Sequence, residues 1–288
     1  IRSLTVLCLS AALAAPAARA DSPIPAPAAS AQEQPATPPA VSPPPAAAPL
    51  PRPVPPVVYL PDQPQIEARA VEILKAMSEK LAAARTLSFT SVATYESPAR
   101  TGQPLAYLVK SEIALQRPDK LRVITPGDGP ASEFYYDGKA LMAFVPTENL
   151  VAVTEAPPTI DAMLKQAYQK AGVFFPFTDL VAADPFAALS AGVKSAFYVG
   201  PSGVVGGVKT DMVVWADNEV FLQFWIGVDD KLPRRVRAVY RADPLRLRHD
   251  LELSNWQLDV PMAPETFVSE KAKTARSKST RLNSSHDQ

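Results

Sequence analysis

Two periodicities divide the chain. Ile66, Ala70, Ile73, Leu74, Met77 and Leu81 recur at three- and four-residue spacing, with Glu67, Arg69, Glu72, Lys75 and Glu79 opposite them. That spacing predicts an amphipathic helix with one face docked on something apolar. Beyond it the period falls to two: Tyr107, Val109, Ser111, Ile113 and Leu115 alternate with Leu108, Lys110, Glu112 and Ala114. This is the pattern of a strand with one wetter face. Turn chemistry at Arg117-Pro118-Asp119-Lys120, Asp137-Gly138 and Asp229-Asp230-Lys231 makes the segments antiparallel hairpins. About eleven short strands are expected, near 87–95, 106–116, 120–125, 132–137, 139–145, 149–154, 194–200, 208–216, 219–227, 234–241 and 247–258.

The meander is interrupted once. Thr159, after Pro157-Pro158, is placed to cap a helix carrying Ile160, Met163, Leu164, Ala167 and Tyr168, closed by Gly172. A second helix is expected from Asp184, with Pro185 in its first position, Phe186 and Leu189 on its apolar side and Gly192 at its end. Between them lies the aromatic hinge Phe174-Phe175-Pro176-Phe177. The strand at 219–227 is apolar on both sides, with Val220, Leu222, Phe224 and Ile226 on one and Phe221 and Trp225 flanking Gln223 on the other. Both of its faces are therefore expected to be shielded, as in a curved sheet with helices laid in its concavity.

Composition adds an address. Arg2, the largely apolar run Leu4–Ala14 and the small residues Ala18 and Ala20 form the order of a secretory signal peptide over 1–20. A start at Ile1 rather than Met suggests a missing lead-in. Cys8 is the one cysteine, sits mid-run behind Leu7, and is poorly placed for lipidation. Cleavage after Ala20 leaves no cysteine, which excludes disulfides, thiol nucleophiles and cysteine-ligated metals, and suits a bacterial periplasm. It also leaves 27 basic against 29 acidic residues, a balance that offers no basic footprint for nucleic acid. Residues 21–64 hold 16 of the 32 prolines, which makes this segment a disordered, extended arm rather than helix or sheet. The globular part is expected over 65–271, with a disordered tail at 272–288.

Several runs together carry a resemblance. RPDKLRV (117–123), YYDGKALMAF (135–144), PPTIDAML (157–164), PFTDLVAADP (176–185), YVG (198–200), FWI (224–226), LPRRV (232–236) and LSNW (253–256) resemble a bacterial family of predicted periplasmic proteins of unknown function. That family is similar in fold to the lipoprotein carriers LolA and LolB and to the related domain of the envelope-stress regulator RseB. The resemblance implies a mainly β fold with α, an open and strongly curved antiparallel half-barrel of about eleven strands with helices as a lid over an apolar cavity. No lipid-contacting residue carries over position by position, so a carrier function is implied by fold analogy alone. Residues 277–288, SKSTRLNSSHDQ, depart from the family's ending and read as non-native.

Candidate residues for an apolar ligand or its gate are Phe89, Tyr107, Tyr136, Phe174, Phe175, Phe177, Trp215, Phe224 and Trp225. Each is equally at home in a core, since aromatics dominate cores. The Pro-hinged run 174–177 is the best placed to move as a gate. Arg235, Arg237 and Arg241 share one strand face, with Arg246 and Arg248 following, and read as an anion or headgroup site or as a solvated face paired with nearby acids. His249 is the only histidine of the globular part, its neighbours Arg248 and Asp250 point to the other face of a strand, and no nucleophile, base and orienting set stands out. One histidine also falls short of a zinc ligand set. The expectation is a non-enzymatic periplasmic binding protein without cofactor or metal, taking an acyl chain, a lipoprotein or another apolar ligand. The alternative is a protein-interaction or envelope-sensor module whose concavity is filled by its own helices.

Overall fold

The computed structural model describes residues 65–127 and 131–277. The expected signal peptide, the Pro-rich arm and the end of the tail lie outside the described residues. The chain opens with β1 (Gln65–Ile66) and α1 (Ala68–Ala83). Six strands follow: β2 (Thr86–Pro98), β3 (Pro104–Gln116), β4 (Lys120–Thr125), β5 (Ser132–Tyr136), β6 (Ala140–Val145) and β7 (Leu150–Glu155). Three helices come next, α2 (Ile160–Ala171), α3 (Thr178–Val181) and α4 (Pro185–Ser190). The chain then returns through β8 (Ser195–Ser202), β9 (Thr210–Ala216), β10 (Val220–Gly227), β11 (Pro233–Tyr240) and β12 (His249–Leu258), and ends in β13 (Arg276–Ser277).

All thirteen strands form one open sheet in the order β1-β8-β9-β10-β11-β12-β2-β3-β4-β5-β6-β7-β13. Two meanders, β2–β7 and β8–β12, are sewn together where β12 runs antiparallel to β2. The expected count of eleven falls short by two. β1 and β13 are two-residue edge pairs laid parallel on β8 and β7, too short to leave a periodic signal. Ile66 accordingly belongs to β1 and not to the helix, and the amides of Gln65 and Glu67 donate to Lys194 and Ala196 carbonyls.

One face of the sheet carries the helices. Ala70, Leu74, Met77 and Leu81 of α1 are fully buried, and α1 packs on β8, β9 and β10 as well as on α3 and α4. A single apolar cluster runs from these residues through Leu87 and Phe89 of β2, Ile113 and Leu115 of β3, Leu121 and Val123 of β4, Val213 and Trp215 of β9, Phe224 and Ile226 of β10, and Leu251 and Leu253 of β12. The alternation of each strand thus points one set of side chains at a common helical layer. Arg117 fastens that layer at the end of β3, donating from Nη1 to the Val181 carbonyl at 3.1 Å and from Nη2 to the Leu81 carbonyl at 3.4 Å.

The domain also runs past the expected boundary at 271. Lys271–Thr274 forms a short 3-10 turn and β13 follows it. Ala272 is buried with Phe144 and Val151 against the face of β6 and β7 turned away from the main core. Ser269 and Tyr135 both donate to Glu133 Oε2, at 3.3 and 2.8 Å. The segment expected to be disordered from 272 covers an apolar patch that the meander leaves bare.

Candidate functional site

The middle of the chain supplies helices and a loop to the helical layer on one face of the sheet. Thr159 Oγ1 accepts from the Ala162 amide to start α2, and Gly172, at φ 65°, closes it with its amide turned back to the Ala167 and Tyr168 carbonyls. The chain then makes the aromatic loop 174–177. Thr178 donates from both its amide and its hydroxyl to the Phe175 carbonyl, at 3.1 and 2.7 Å, and the Leu180 amide donates to the Phe177 carbonyl at 3.0 Å. Pinned at both ends, the loop turns Phe175 and Phe177 to the same side.

Those two rings complete a chain of aromatic contacts. Phe134 of β5 meets Phe175 edge-on at 5.3 Å between ring centres, and Phe175 stacks on Phe177 at 5.5 Å. Phe177 meets Phe89 of β2 edge-on at 5.5 Å, and Phe89 stacks on Trp256 of β12 at 4.4 Å. These are the separations and angles at which ring quadrupoles attract. Phe89 is 3% exposed, Phe175 9% and Phe177 1%. Trp215 is buried further along, its indole donating to the Leu189 carbonyl of α4 at 2.9 Å, with Phe186 beside it. The Tyr136 phenol donates to the Pro157 carbonyl just before α2. Burial raises its pKa, and the Asp119 and Asp137 carboxylates push in the same direction.

Six of the nine candidate residues, Phe89, Tyr136, Phe175, Phe177, Trp215 and Phe224, therefore share one buried cluster. Three do not. Phe174 is 38% exposed at the head of the loop. Tyr107 is 44% exposed and stacks on Tyr95 at 5.5 Å, out on the long β2–β3 hairpin beyond the reach of the helices. Trp225 alternates with Phe224 and lies on the sheet's outer face beside Arg235. Phe134 and Trp256 complete the chain although the sequence reading left them out. Phe134 was within reach of it, being two residues from Tyr136 on the same strand face. Trp256 was not, because the ladder between β12 and β2 shifts register between Ser254 and Gln257, with Asn255 at φ 55°, and that bulge returns an even-numbered residue to the core side.

Burial shifts two ionisable groups near this face. Burial lowers the pKa of Arg117 while Asp161 opposes the shift, and the Asp161 carboxylate accepts from the Ala183 amide at 3.1 Å. His249 meets Tyr240 edge-on at 5.0 Å, and burial lowers its pKa against the pull of Asp243, Glu96 and Asp250. Among the described residues no group of three His, Cys, Asp or Glu side chains is placed to hold a metal ion, and no helix is long and apolar enough to cross a membrane.

The chain resembles several solved structures at low identity. LprF from Mycobacterium bovis is 16% identical over 69% of this chain and 96% of its own, with a TM-score of 0.42. A MucA/MucB complex of Pseudomonas aeruginosa is 16% identical with a TM-score of 0.40, covering 71% of this chain and 62% of that one, so this chain spans less than two thirds of its length. A LolA superfamily protein from Nitrosomonas europaea is 9% identical, covering 68% and 97%, with a TM-score of 0.33. No curated protein matches the chain. The family model described as "Predicted periplasmic protein (DUF2092)" matches residues 70–277, which takes in the sheet from β2 to β13, α2 to α4 and all but the first two residues of α1, and the chain belongs to that family.

Proposed function

We propose that the protein is a non-enzymatic interaction module of the periplasm, a curved half-barrel whose concave side is filled by its own helices and aromatic loop, so that it binds partners through its surface. The chain of contacts Phe134–Phe175–Phe177–Phe89–Trp256 carries this reading. An acyl chain entering the concavity would have to displace rings already packed on one another, and close-packed interiors resist such insertion. Apart from Phe174, exposed apolar side chains sit away from the loop, notably Leu105 and Leu108 on the β2–β3 hairpin, where a partner protein can reach them.

The carrier reading keeps one observation in its favour. Phe174 is exposed beside Pro176 in a loop held mainly at its ends, and withdrawal of that loop would open the concavity. One experiment separates the two. Delipidated protein is incubated with envelope lipids and examined by native mass spectrometry, while a photocrosslinking residue is placed at Leu108 or at Phe174 in cells. The module reading expects no retained lipid and a discrete protein adduct from Leu108. Stoichiometric lipid retention, with lipid adducts from Phe174, would replace it with the carrier.

A further inference from the structure

The outer face of the sheet holds a second, chemically different feature. Because Leu222, Phe224 and Ile226 of β10 point into the core, Gln223 and Trp225 point out. Pairing places Gln223, Arg237 and Asp250 in one row across β10, β11 and β12, and Trp225, Arg235 and Glu252 in the next. Between them opens a cleft of about 250 Å³ lined by Gln223, Trp225, Arg235, Arg237, Arg248 and Asp250.

This is not an ordinary solvated row of charges. Asp250 is 8% exposed, and its Oδ2 lies 3.0 Å from Arg235 and 4.0 Å from Arg248. Its other oxygen, Oδ1, is buried and has no hydrogen-bond donor among the described residues, and Arg235 Nε likewise has no acceptor. Arg235 lies over the Trp225 ring at 5.5 Å, which leaves the indole as one wall of the cleft. Glu252 and Glu96 hold the outer sides of Arg235 and Arg248. The Arg237 side chain, exposed, makes no ion pair or hydrogen bond among the described residues. Three guanidinium groups therefore line the cleft with one carboxylate, and an acceptor and a donor of two of these lining side chains are buried and unused. Buried polar groups are normally satisfied, so each exception asks what satisfies it.

We propose that this cleft binds a phosphate group carrying a neighbouring hydrogen-bond donor, the chemistry shared by free phosphoethanolamine and the headgroup of phosphatidylethanolamine. The tetrahedral oxygens of a phosphate can meet guanidinium groups arriving from different strands, whereas the two oxygens of a carboxylate are used up by one planar fork. An ammonium or hydroxyl beside the phosphate gives Asp250 Oδ1 its missing donor once the carboxylate turns that buried oxygen toward the cleft, and the aliphatic link lies along Trp225. The site shares no residue with the aromatic core, so it stands or fails independently of how the concave side is used.

Calorimetric titration of the full chain with phosphoethanolamine, phosphocholine and inorganic phosphate tests the assignment. Phosphocholine keeps the phosphate and the positive charge but has no N–H donor. Phosphoethanolamine is expected to bind about tenfold more tightly than phosphocholine, the worth of one charge-assisted hydrogen bond. Asp250→Asn is expected to erase that preference, and Arg237→Gln, an exposed side chain whose loss leaves the fold intact, to weaken both ligands by about tenfold. Should Asp250→Asn fail to fold, Arg237→Gln and the phosphocholine comparison decide the matter. Co-sedimentation with phosphatidylcholine vesicles, with and without phosphatidylethanolamine, assigns the source. Pelleting that depends on phosphatidylethanolamine and on Arg237 identifies a lipid headgroup, and binding of the free compound alone identifies a soluble solute. Absence of binding to every probe by folded protein, equal affinity for the two amines, or affinity untouched by Arg237→Gln would each overturn the proposal.

Discussion

Phe177→Ala is the sharpest test of a concave face filled from within. The side chain is 1% exposed and touches two other rings, Phe89 edge-on and Phe175 in a stack, both at 5.5 Å. Truncating a buried phenylalanine removes its transfer free energy and leaves a cavity, a loss of about 3–5 kcal/mol. Two aromatic pairs, worth on the order of 0.5–1.5 kcal/mol each beyond area, keep this substitution well inside that range, near 4 kcal/mol. For a domain of this size each kcal/mol shifts Tm by roughly 2–4 °C, so the variant should melt roughly 8–16 °C lower. Phe174→Ala, three residues earlier in the loop and partly exposed, should shift Tm by about 3 °C or less. Urea titration followed by circular dichroism gives both values under the same conditions. A loss below about 1 kcal/mol for Phe177→Ala, or equal losses for the two variants, would show that the loop is not packed into the sheet, and the filled concavity would fall with it.

Three further substitutions probe what holds the sheet and its helices. Arg117→Met removes the donors to the Val181 and Leu81 carbonyls and should cost roughly 2 kcal/mol, with faster proteolysis near α3 as the local readout. Asp137 accepts from the amides of Lys139 and Ala140 in the β5–β6 turn. Burial would raise its pKa, but these bonds and Lys120 outweigh it and hold the carboxyl below the usual range. Asp137→Ala should therefore cost about 1 kcal/mol at neutral pH, and the gap should close as pH falls from about 4 through the folded-state value, because the native carboxylate is then protonated. A gap that does not narrow as pH falls below about 4 would contradict this. His249 is shifted the other way relative to its charge: burial favours the neutral ring in the folded state. Wild-type stability should fall as pH drops below about 6.5 toward the folded value, because the unfolded chain binds the proton first. His249→Gln should flatten that segment of the curve, and an unchanged slope would remove His249 as its source.

The regular elements were legible because their signals are local. Thr159 and Gly172 bound α2 by cap chemistry that needs no tertiary partner, and Asp184-Pro185 starts α4 in the same way. α3 escaped notice: at four residues its apolar Leu180 and Val181 leave no period to read. The candidate site was legible in residue type and blurred in position. Alternation alone separated Phe221 and Trp225 from Phe224, but it expected both faces of that strand to be shielded and kept Trp225 as a candidate for the apolar site, whereas the structure sets Trp225 on the outer face beside Arg235. Tyr107 shares the strand parity of Ile113 and Leu115, but only the length of the hairpin beyond the helices decides that it stays exposed.

By itself, then, the sequence determined the two meanders, the helical insert between them and the periplasmic family, since period, caps, turns and the short family-like runs are all written within a few residues of one another. Tertiary structure decided the rest. The joining of β12 to β2 brings residues more than 150 positions apart into one ladder, and no local pattern encodes a partner at that distance. The same joining bends Trp256 back onto Phe89 through a bulge and sets Asp250 beneath Arg235 and Arg248. Which rings of the aromatic loop pack into the core was likewise a matter of packing in three dimensions, because a phenylalanine in a loop reads the same in sequence whether its ring is buried like Phe177 or exposed like Phe174.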